Sequence, residues 1–480
     1  MVKRPSPLEI YKLLPKKADW GSIGLRTGME FATSLLERQV KLDDLPGKIS
    51  PKKKQKIIDL IIPPQLPVEF GVGDKMCTIG GEEAFRRHDL TFFNPTALLI
   101  EVGDTDPDLM QKVKYMTDFS IERIGEKLTL QGIVLRCVSD DPNKYVETVK
   151  KVADTTDLPL MLCSWNTDAL VEAANSIKDK KPMLYAATKK NWKELGKCAV
   201  QNNLPVVCYS TDMDEIVSIT KTLESMGVKE MVLDFGTALG PGDIRETLNR
   251  MQKIRYSSIR DGSDLTKWPV LGVPAAIWAL QKPEDDDEKF EIQYREALGA
   301  IMQMSYDASA LIVHTGAIEE EIWFLLALMT FRQNIFVDPR IYPTVDPGLF
   351  KIGDPGPKAP IFMTSNYRMT KIPVEQDLKD AHLDCWLLVV DSDGLGIEAG
   401  VAGGQLNSDK VQEAVKEYKA FDAVDHRILV IPGMAARLQG AIEDDADCYV
   451  AVGPMDSSGI QKWLEKGWKP DEFMKEYRDR

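Results

Sequence analysis

Four short stretches near the C-terminus gather residue types that bind polar ligands: Thr364-Ser365-Asn366, Asp391-Ser392-Asp393-Gly394-Leu395-Gly396, Ile431-Pro432-Gly433 and Val452-Gly453-Pro454. Each follows an apolar run of strand character, so one sheet would bring all four to a common edge. Small residues let backbone amides approach a large flat or amide-bearing ligand closely. Hydroxyls and Asn add adaptable hydrogen bonds. No G-x-G-x-x-G follows the first of these strands, which disfavours a dinucleotide. The alternative is that the glycines only end strands, as glycines do in every α/β fold.

Upstream, a second set of polar residues ends apolar runs: Glu101, Ser139, Asp140, Ser164, Asn166, Lys189, Asn191, Asp212, Asp234, Thr237 and His314. At strand ends they would either do chemistry or cap the helices that follow. The four histidines (88, 314, 382 and 426) form no metal spacing, and there is no paired-carboxylate or nucleophile motif. Asp380-Ala381-His382-Leu383-Asp384-Cys385 nearly matches D-x-H-x-x-G, the signature of histidine ligation to corrinoid cobalt. Its last position is Cys and it precedes a strand instead of following one, so His382 reads as a solvated loop residue. The seven cysteines are scattered and form no C-x-x-C, as expected of reduced thiols packed as small hydrophobes.

Several elements must position these residues. Eight apolar runs recur between residues 96 and 315: TALLIEV (96–102), GIVLRC (132–137), PLMLCS (159–164), PMLYAA (182–187), PVVCYS (205–210), EMVLD (230–234), PVLGVPA (269–275) and ALIVHT (310–315). Helical patterning fills most of the intervals, which predicts a parallel sheet closed into a (β/α)8 TIM barrel over 61–336. Pro269 and Pro274 weaken the seventh run. Residues 337–360 are proline-rich and read as a linker. Residues 361–480 alternate strand and helix again and predict a doubly wound, Rossmann-like α/β domain, with its ligand site at the carboxyl ends of the strands. Residues 1–60 form a small helical unit. A glycine-bearing loop, Ala18 to Thr27, leads into a helix with Met29, Phe31, Ala32, Leu35 and Leu36 at helical spacing. The unit ends in the basic run Pro51 to Lys56, read as a solvated linker face.

The 44% hydrophobic and 28% charged fractions are those of a globular chain, and the net charge of -14 argues against nucleic acid as a partner. The apolar run Ile322 to Phe331 is far shorter than the ~20 residues of a membrane span. No secretory signal is visible in MVKRPSPLEI, so a cytoplasmic location is expected.

Taken in order, PLEIYKLLPK, IGGEEAFRRHDLTFFNPTALLIEV, YAATKKNW, VLDFGT, TSNY, WLLVVDSDGLG and RILVIPGMAARLQGAIEDD resemble the large subunit of the corrinoid iron–sulfur protein of the carbon monoxide dehydrogenase/acetyl-CoA synthase system. The resemblance covers nearly the whole chain. It implies a small N-terminal cluster domain, a barrel and a C-terminal corrinoid-binding domain. It implies a methyl carrier that accepts methyl from a methyltetrahydropterin methyltransferase and delivers it to acetyl-CoA synthase. It also implies a heterodimer with a smaller barrel subunit, and a base-off corrinoid whose cobalt no histidine ligates.

Carried onto this sequence, the corrinoid role falls on Thr364, Ser365, Asn366, Thr370, Gly394, Gly396, Ile431, Gly433 and Gly453, with Thr370 beneath the cobalt. Arg368 and Lys371 bring unexpected charge nearby. One departure stands out. The family's N-terminal loop holds a four-iron, four-sulfur cluster on four cysteines, and here Trp20, Ile23, Gly28 and Leu45 fall on those positions. None can ligate iron. The expectation is that the cluster is absent, that Trp20, Ile23 and Leu45 pack together in its place, and that an external reductant or activator serves the cobalt. Two other readings stay open: a cofactor-free scaffold subunit, and a pterin-dependent methyltransferase on the barrel using Asp234, Asn191 or Asn166.

Overall fold

The structure is a computed structural model and describes residues 4–86, 92–237, 243–305, 307–338 and 342–479. His88 lies outside the described residues. The chain divides into two compact units. One holds the residues before 122 together with Leu128–Asp338, and the other holds Glu122–Lys127 and the residues after 338.

In the first unit, all eight apolar runs become parallel strands: β1 (Ala97–Gly103), β2 (Gly132–Arg136), β3 (Leu160–Cys163), β4 (Met183–Ala187), β5 (Val206–Tyr209), β6 (Met231–Asp234), β7 (Leu271–Gly272) and β8 (Ala310–Val313). Their order is β6-β5-β4-β3-β2-β1-β8-β7, and a parallel bridge from Leu233 to Val270 joins the two ends into a barrel. The strands are almost wholly buried because helices cover them outside and side chains fill the interior. β7 is only two residues long, in keeping with Pro269 and Pro274 on its flanks: proline removes a ladder donor.

The N-terminal segment groups with the barrel instead of standing apart. Arg4 forms an ion pair with Glu83 at 3.0 Å, and the Arg38 guanidinium donates to the Gly81 carbonyl. The segment carries three helices, Pro7–Tyr11, Gly28–Leu36 and Pro51–Ile61. The basic run at 51–56 is therefore the exposed start of a helix and not a linker; Ser50 caps it and proline fills its first position.

The second unit is a five-stranded sheet: β9 (Gly348–Ile352), β10 (Ile361–Ser365), β11 (Cys385–Val390), β12 (Ile428–Ile431) and β13 (Tyr449–Val452). Their order is β9-β11-β10-β12-β13. Four strands are parallel. β9, inside the stretch read as linker, pairs antiparallel with β11 over five residues. Proline confines this segment to an edge, and β9 is the one proline-free stretch within it long enough to pair. Separate apolar layers pack on the two faces of the sheet, as a doubly wound fold requires.

Candidate functional site

The chain order reverses between β10 and β12, so the helices after these two strands depart to opposite faces. The pairing loosens at the same place. β10 matches β11 over five residues and β12 matches β13 over four, but β10 and β12 share only Phe362 with Val430. Their carboxyl ends separate, and a cavity of about 280 Å³ opens there. Its floor is Phe362, Met363, Thr364, Val430 and Ile431, and one wall is the start of the helix Arg368–Asp380. That helix contains Pro373, which lines the cavity and removes the N–H that would bond the Met369 carbonyl. Gly453 and Pro454 close the far side. Three methionines rim the opening: Met369, Met434 and Met455, 45%, 42% and 62% exposed.

Four of the nine expected ligand residues line this cavity: Thr364, Thr370, Ile431 and Gly453. Thr364 is buried, and its hydroxyl has no hydrogen-bond partner. Leaving a buried hydroxyl unpaired costs ~1–3 kcal/mol, so its position beside a cavity points to a ligand group. Gly433 and Gly396 shape the neighbourhood without lining it. A Cβ on Gly433 would sit 2.8 Å from the Met455 sulfur and 3.2 Å from the Gly453 carbonyl oxygen. One on Gly396 would meet the Thr370 hydroxyl at 3.5 Å.

Asn366, Gly394 and Ser365 serve the scaffold. The Asn366 side-chain oxygen accepts from the Ser392 N–H (3.0 Å), the Ser392 hydroxyl (2.9 Å) and the Gly394 N–H (3.1 Å), and its amide donates to Asp391 (3.0 Å). Gly394 turns at φ +75°. Ser365 is fully buried with an unpaired hydroxyl, but it does not line the cavity.

The two unexpected cations are tied up away from the cavity. Arg368 pairs with Glu126 at 2.7 Å; Lys371 pairs with Glu375 and lies 4.6 Å from the Phe350 ring centre. His382 is exposed at φ +50°, just past the helix end, as expected of a solvated loop residue. Sequence reasoning missed the methionine rim, since methionine does not signal a cavity, and it also missed Pro373. The prolines near 373, 432 and 454 were the available clue.

At the barrel mouth two of the expected residues are helix caps and others bond their loop neighbours; Asp140 and Ser164 accept from Asn166, and Lys189 pairs with Glu215 at 3.1 Å. Asn166 accepts from the Ala169 N–H (3.2 Å), and Asp212 accepts from the N–H groups of Asp214 (2.8 Å) and Glu215 (3.1 Å). Asn191 spends its amide on Thr188 and the Ala186 carbonyl. Ser139 donates to Asp104, and Thr237 accepts from the Val273 N–H. Two groups remain. Asp234 is buried at the end of β6, where it accepts from the Tyr185 hydroxyl (2.7 Å) and the Gly236 N–H (2.8 Å). Burial pushes its carboxyl up to about 6 against those two bonds. It borders a cavity of about 420 Å³ with Trp165, Tyr209 and Arg250. Beside β1 and β8, Glu101 takes His314 at 2.6 Å and Arg136 at 2.9 Å. Burial opposes both charges of the Glu101–His314 pair. Their mutual attraction wins, holding the carboxyl low and the imidazole high.

At the N-terminus, Trp20, Ile23 and Leu45 all pack against one apolar cluster centred on Phe31, Ala32 and Leu35. The Trp20 and Phe31 ring centres are 5.6 Å apart. A Cβ on Gly28 would lie 2.8 Å from the Trp20 ring, so the indole occupies the space beside that position.

Among the described residues no group of three His, Cys, Asp or Glu is placed to hold a metal ion, and no helix is long and apolar enough to cross a membrane. A family model described as the CO dehydrogenase/acetyl-CoA synthase delta subunit matches residues 67–464. The acetyl-CoA decarbonylase/synthase complex subunit gamma of Archaeoglobus fulgidus is 40% identical, covering 98% of this chain and 100% of that protein. The gamma subunit of Methanothermobacter thermautotrophicus is 37% identical over 96% of this chain and 98% of that one. A solved dihydropteroate synthase from Thermus thermophilus is 15% identical with a TM-score of 0.37, covering 50% of this chain and 93% of that one, and nothing about function follows from it. The family model carries the delta name, but end-to-end coverage of the gamma subunits decides between the two. The chain belongs to the family of the gamma subunit of the acetyl-CoA decarbonylase/synthase complex.

Proposed function

We propose that this subunit carries methyl groups on a corrinoid held by its C-terminal unit, between a methyltetrahydropterin methyltransferase and acetyl-CoA synthase. The observation that carries the reading is the cavity at the β10/β12 separation with the unpaired Thr364 hydroxyl beside it. A bound corrinoid supplies a cobalt centre able to accept and give up a methyl group. At about 280 Å³ the cavity is at the low end for small-molecule sites and too small for a macrocycle. It suits a flat appendage such as the nucleotide base of a base-off corrinoid, with Thr364 bonding its polar edge. The macrocycle would then rest on the rim, over Thr370 and Gly396, where methionines offer an apolar, polarisable surface. Gly433 and Gly453 keep the strand-end backbone low enough for close approach. No histidine lies among the residues that line the cavity.

The N-terminal segment holds no iron–sulfur cluster in this reading, because its four ligand positions carry Trp, Ile, Gly and Leu. A bound corrinoid would then need an external reductant to return oxidised cobalt to its reduced state. The test is metal content after anaerobic production with the small barrel subunit. About one cobalt and no iron per chain is expected. About four irons with the cobalt would overturn the cluster-free reading. Neither metal, even after corrinoid is added, would leave a cofactor-free scaffold.

A second reading rests on the barrel-mouth cavity. Asp234 and the aromatic walls Trp165 and Tyr209 suit a pterin, whose ring stacks and whose amino edge donates to a carboxylate. Asn166 and Asn191 are committed elsewhere, so Asp234 alone is left for that role. Methyl transfer from a methyltetrahydropterin that is unchanged in Asp234→Asn would sink this reading.

A further inference from the structure

The barrel also has a cavity at the end away from its mouth. It opens where β1 and β8 begin, beside Thr96 and Ser309, and its volume is about 380 Å³. Small-molecule sites span about 300–1,000 Å³. Catalysis on this fold belongs to the opposite end, and residues at this one ordinarily serve stability. The lining does not fit that role. Phe85, Phe92, Met304, Phe331, Ile335 and Phe336 make most of the wall apolar. Set into it is Arg255, 3% exposed, from the helix Ile244–Ile259. A guanidinium carries five N–H donors. Among the described residues one acceptor meets Arg255 in hydrogen-bond geometry: Nη2 donates to the Ala84 carbonyl at 2.6 Å. Nε lies 3.3 Å from an Asp307 oxygen without forming a hydrogen bond. Asp307 is shared, since Arg86 pairs with it at 3.2 Å. Glu82, the other carboxylate on the cavity, is 2% exposed and spends its two oxygens on the N–H groups of Phe93 (3.1 Å) and Asn94 (2.7 Å). The Phe92 ring, 5.0 Å from Arg255, supplies no acceptor oxygen. A buried guanidinium with open donors is costly until something fills them.

We propose that this cavity binds a small aromatic monocarboxylate. The carboxylate takes the open edge of Arg255, because a planar guanidinium matches two carboxylate oxygens at once. The flat body lies among the phenylalanines, which bury an aromatic ring well. A doubly charged phosphate ester suits the site less, since its second charge would face Asp307 and Glu82. The site lies at the strand origins, whereas Asp234 ends β6 at the mouth, and it involves no residue of the C-terminal cavity. It therefore stands apart from both functional readings above.

The experiment titrates naphthoate into the full-length chain by calorimetry and maps the site by hydrogen exchange. Saturable one-to-one binding is expected, with protection of the peptides that carry Arg255 and Phe331 to Phe336. Naphthalenemethanol, the same ring without the charge, should bind about tenfold more weakly or worse. Arg255→Gln should weaken naphthoate about thirtyfold or more. Arg255 also holds the Ala84 carbonyl and faces Asp307, so a second variant leaves those contacts in place. Ser305 lines the cavity from the exposed end of the helix Asp286–Ser305, and its hydroxyl donates to the Ile301 carbonyl of its own helix (2.8 Å). Ser305→Phe should fill the cavity and abolish binding while circular dichroism stays as in wild type. Absence of saturable binding to the wild-type chain would overturn the proposal. Binding that survives Ser305→Phe, or protection confined to the C-terminal unit, would overturn the assigned site. Equal affinity for the alcohol would overturn the assigned ligand class and the role of Arg255.

Discussion

The N-terminal segment and the C-terminal sheet answer the same problem in opposite ways. Each stands where the family implies a cofactor. The first has closed its interior, with Trp20 set against Phe31 and beside Gly28. The second keeps a cavity open between two strands and leaves a buried hydroxyl unpaired beside it. Filling an interior with hydrocarbon stabilises it; keeping an unpaired polar atom costs stability. The open cavity is therefore the region to which the proposed ligand is assigned, and the closed one is assigned none.

The largest expected effect tests whether the two regions are independent. Phe31→Ala removes the centre of the N-terminal cluster and should cost about 3–5 kcal/mol, read as lost hydrogen-exchange protection over 7–61. Bound corrinoid should be unaffected; a parallel fall in cobalt would break the comparison. Gly433→Val is the converse. Its side chain would press on Met455 and the Gly453 carbonyl, and corrinoid retention should drop about tenfold or more with N-terminal protection intact.

Gly28→Ala asks how tightly the closed interior is packed. Alanine gains up to ~1 kcal/mol in helix propensity, while overpacking against Trp20 costs ~1–3 kcal/mol. Net destabilisation by about 1 kcal/mol is expected from local exchange rates, and a gain in stability would mean the indole moves aside freely. Thr364→Val sharpens the other side. With no bond to lose, the protein should gain about 1 kcal/mol in a denaturation curve while corrinoid binds several-fold more weakly. Loss of stability would show that the hydroxyl has a structural partner.

The smallest effect is with pH. His426 is buried in the C-terminal unit, where it donates from Nε2 to the Ala359 carbonyl (3.0 Å) and accepts at Nδ1 from the Ile428 N–H (3.2 Å). Burial holds its pKa below the ordinary 6.5. Between those two values the unfolded chain binds more protons, so stability is full above 6.5 and falls as pH drops below it. The N-terminal segment has no histidine before position 88 and should not share that loss. Tryptophan-resolved unfolding at pH 7 and pH 5 separates the two.

The eight barrel runs and the four C-terminal parallel strands were legible because buried parallel strands are near-continuous apolar segments. β9 was not, since prolines on either side mask a five-residue edge strand. Asn366 was legible as important and illegible as to why. A sequence shows an amide near a ligand edge, while the structure spends that amide on Ser392 and Gly394. The polar residues at barrel strand ends could be assigned to capping or chemistry only as a class, not one by one. Which of them stayed uncommitted depends on side-chain direction, and Asp234 stands out only once Tyr185 and Gly236 are seen around it.

A segment packed around Phe31, with Trp20 against it, also changes how the chain is born. A cluster domain waits for iron and sulfide before it can fold, and dioxygen can undo it afterwards. On the proposed cluster-free reading, residues 7–61 pack on their own apolar contacts around Phe31 and need no metal delivery to do so.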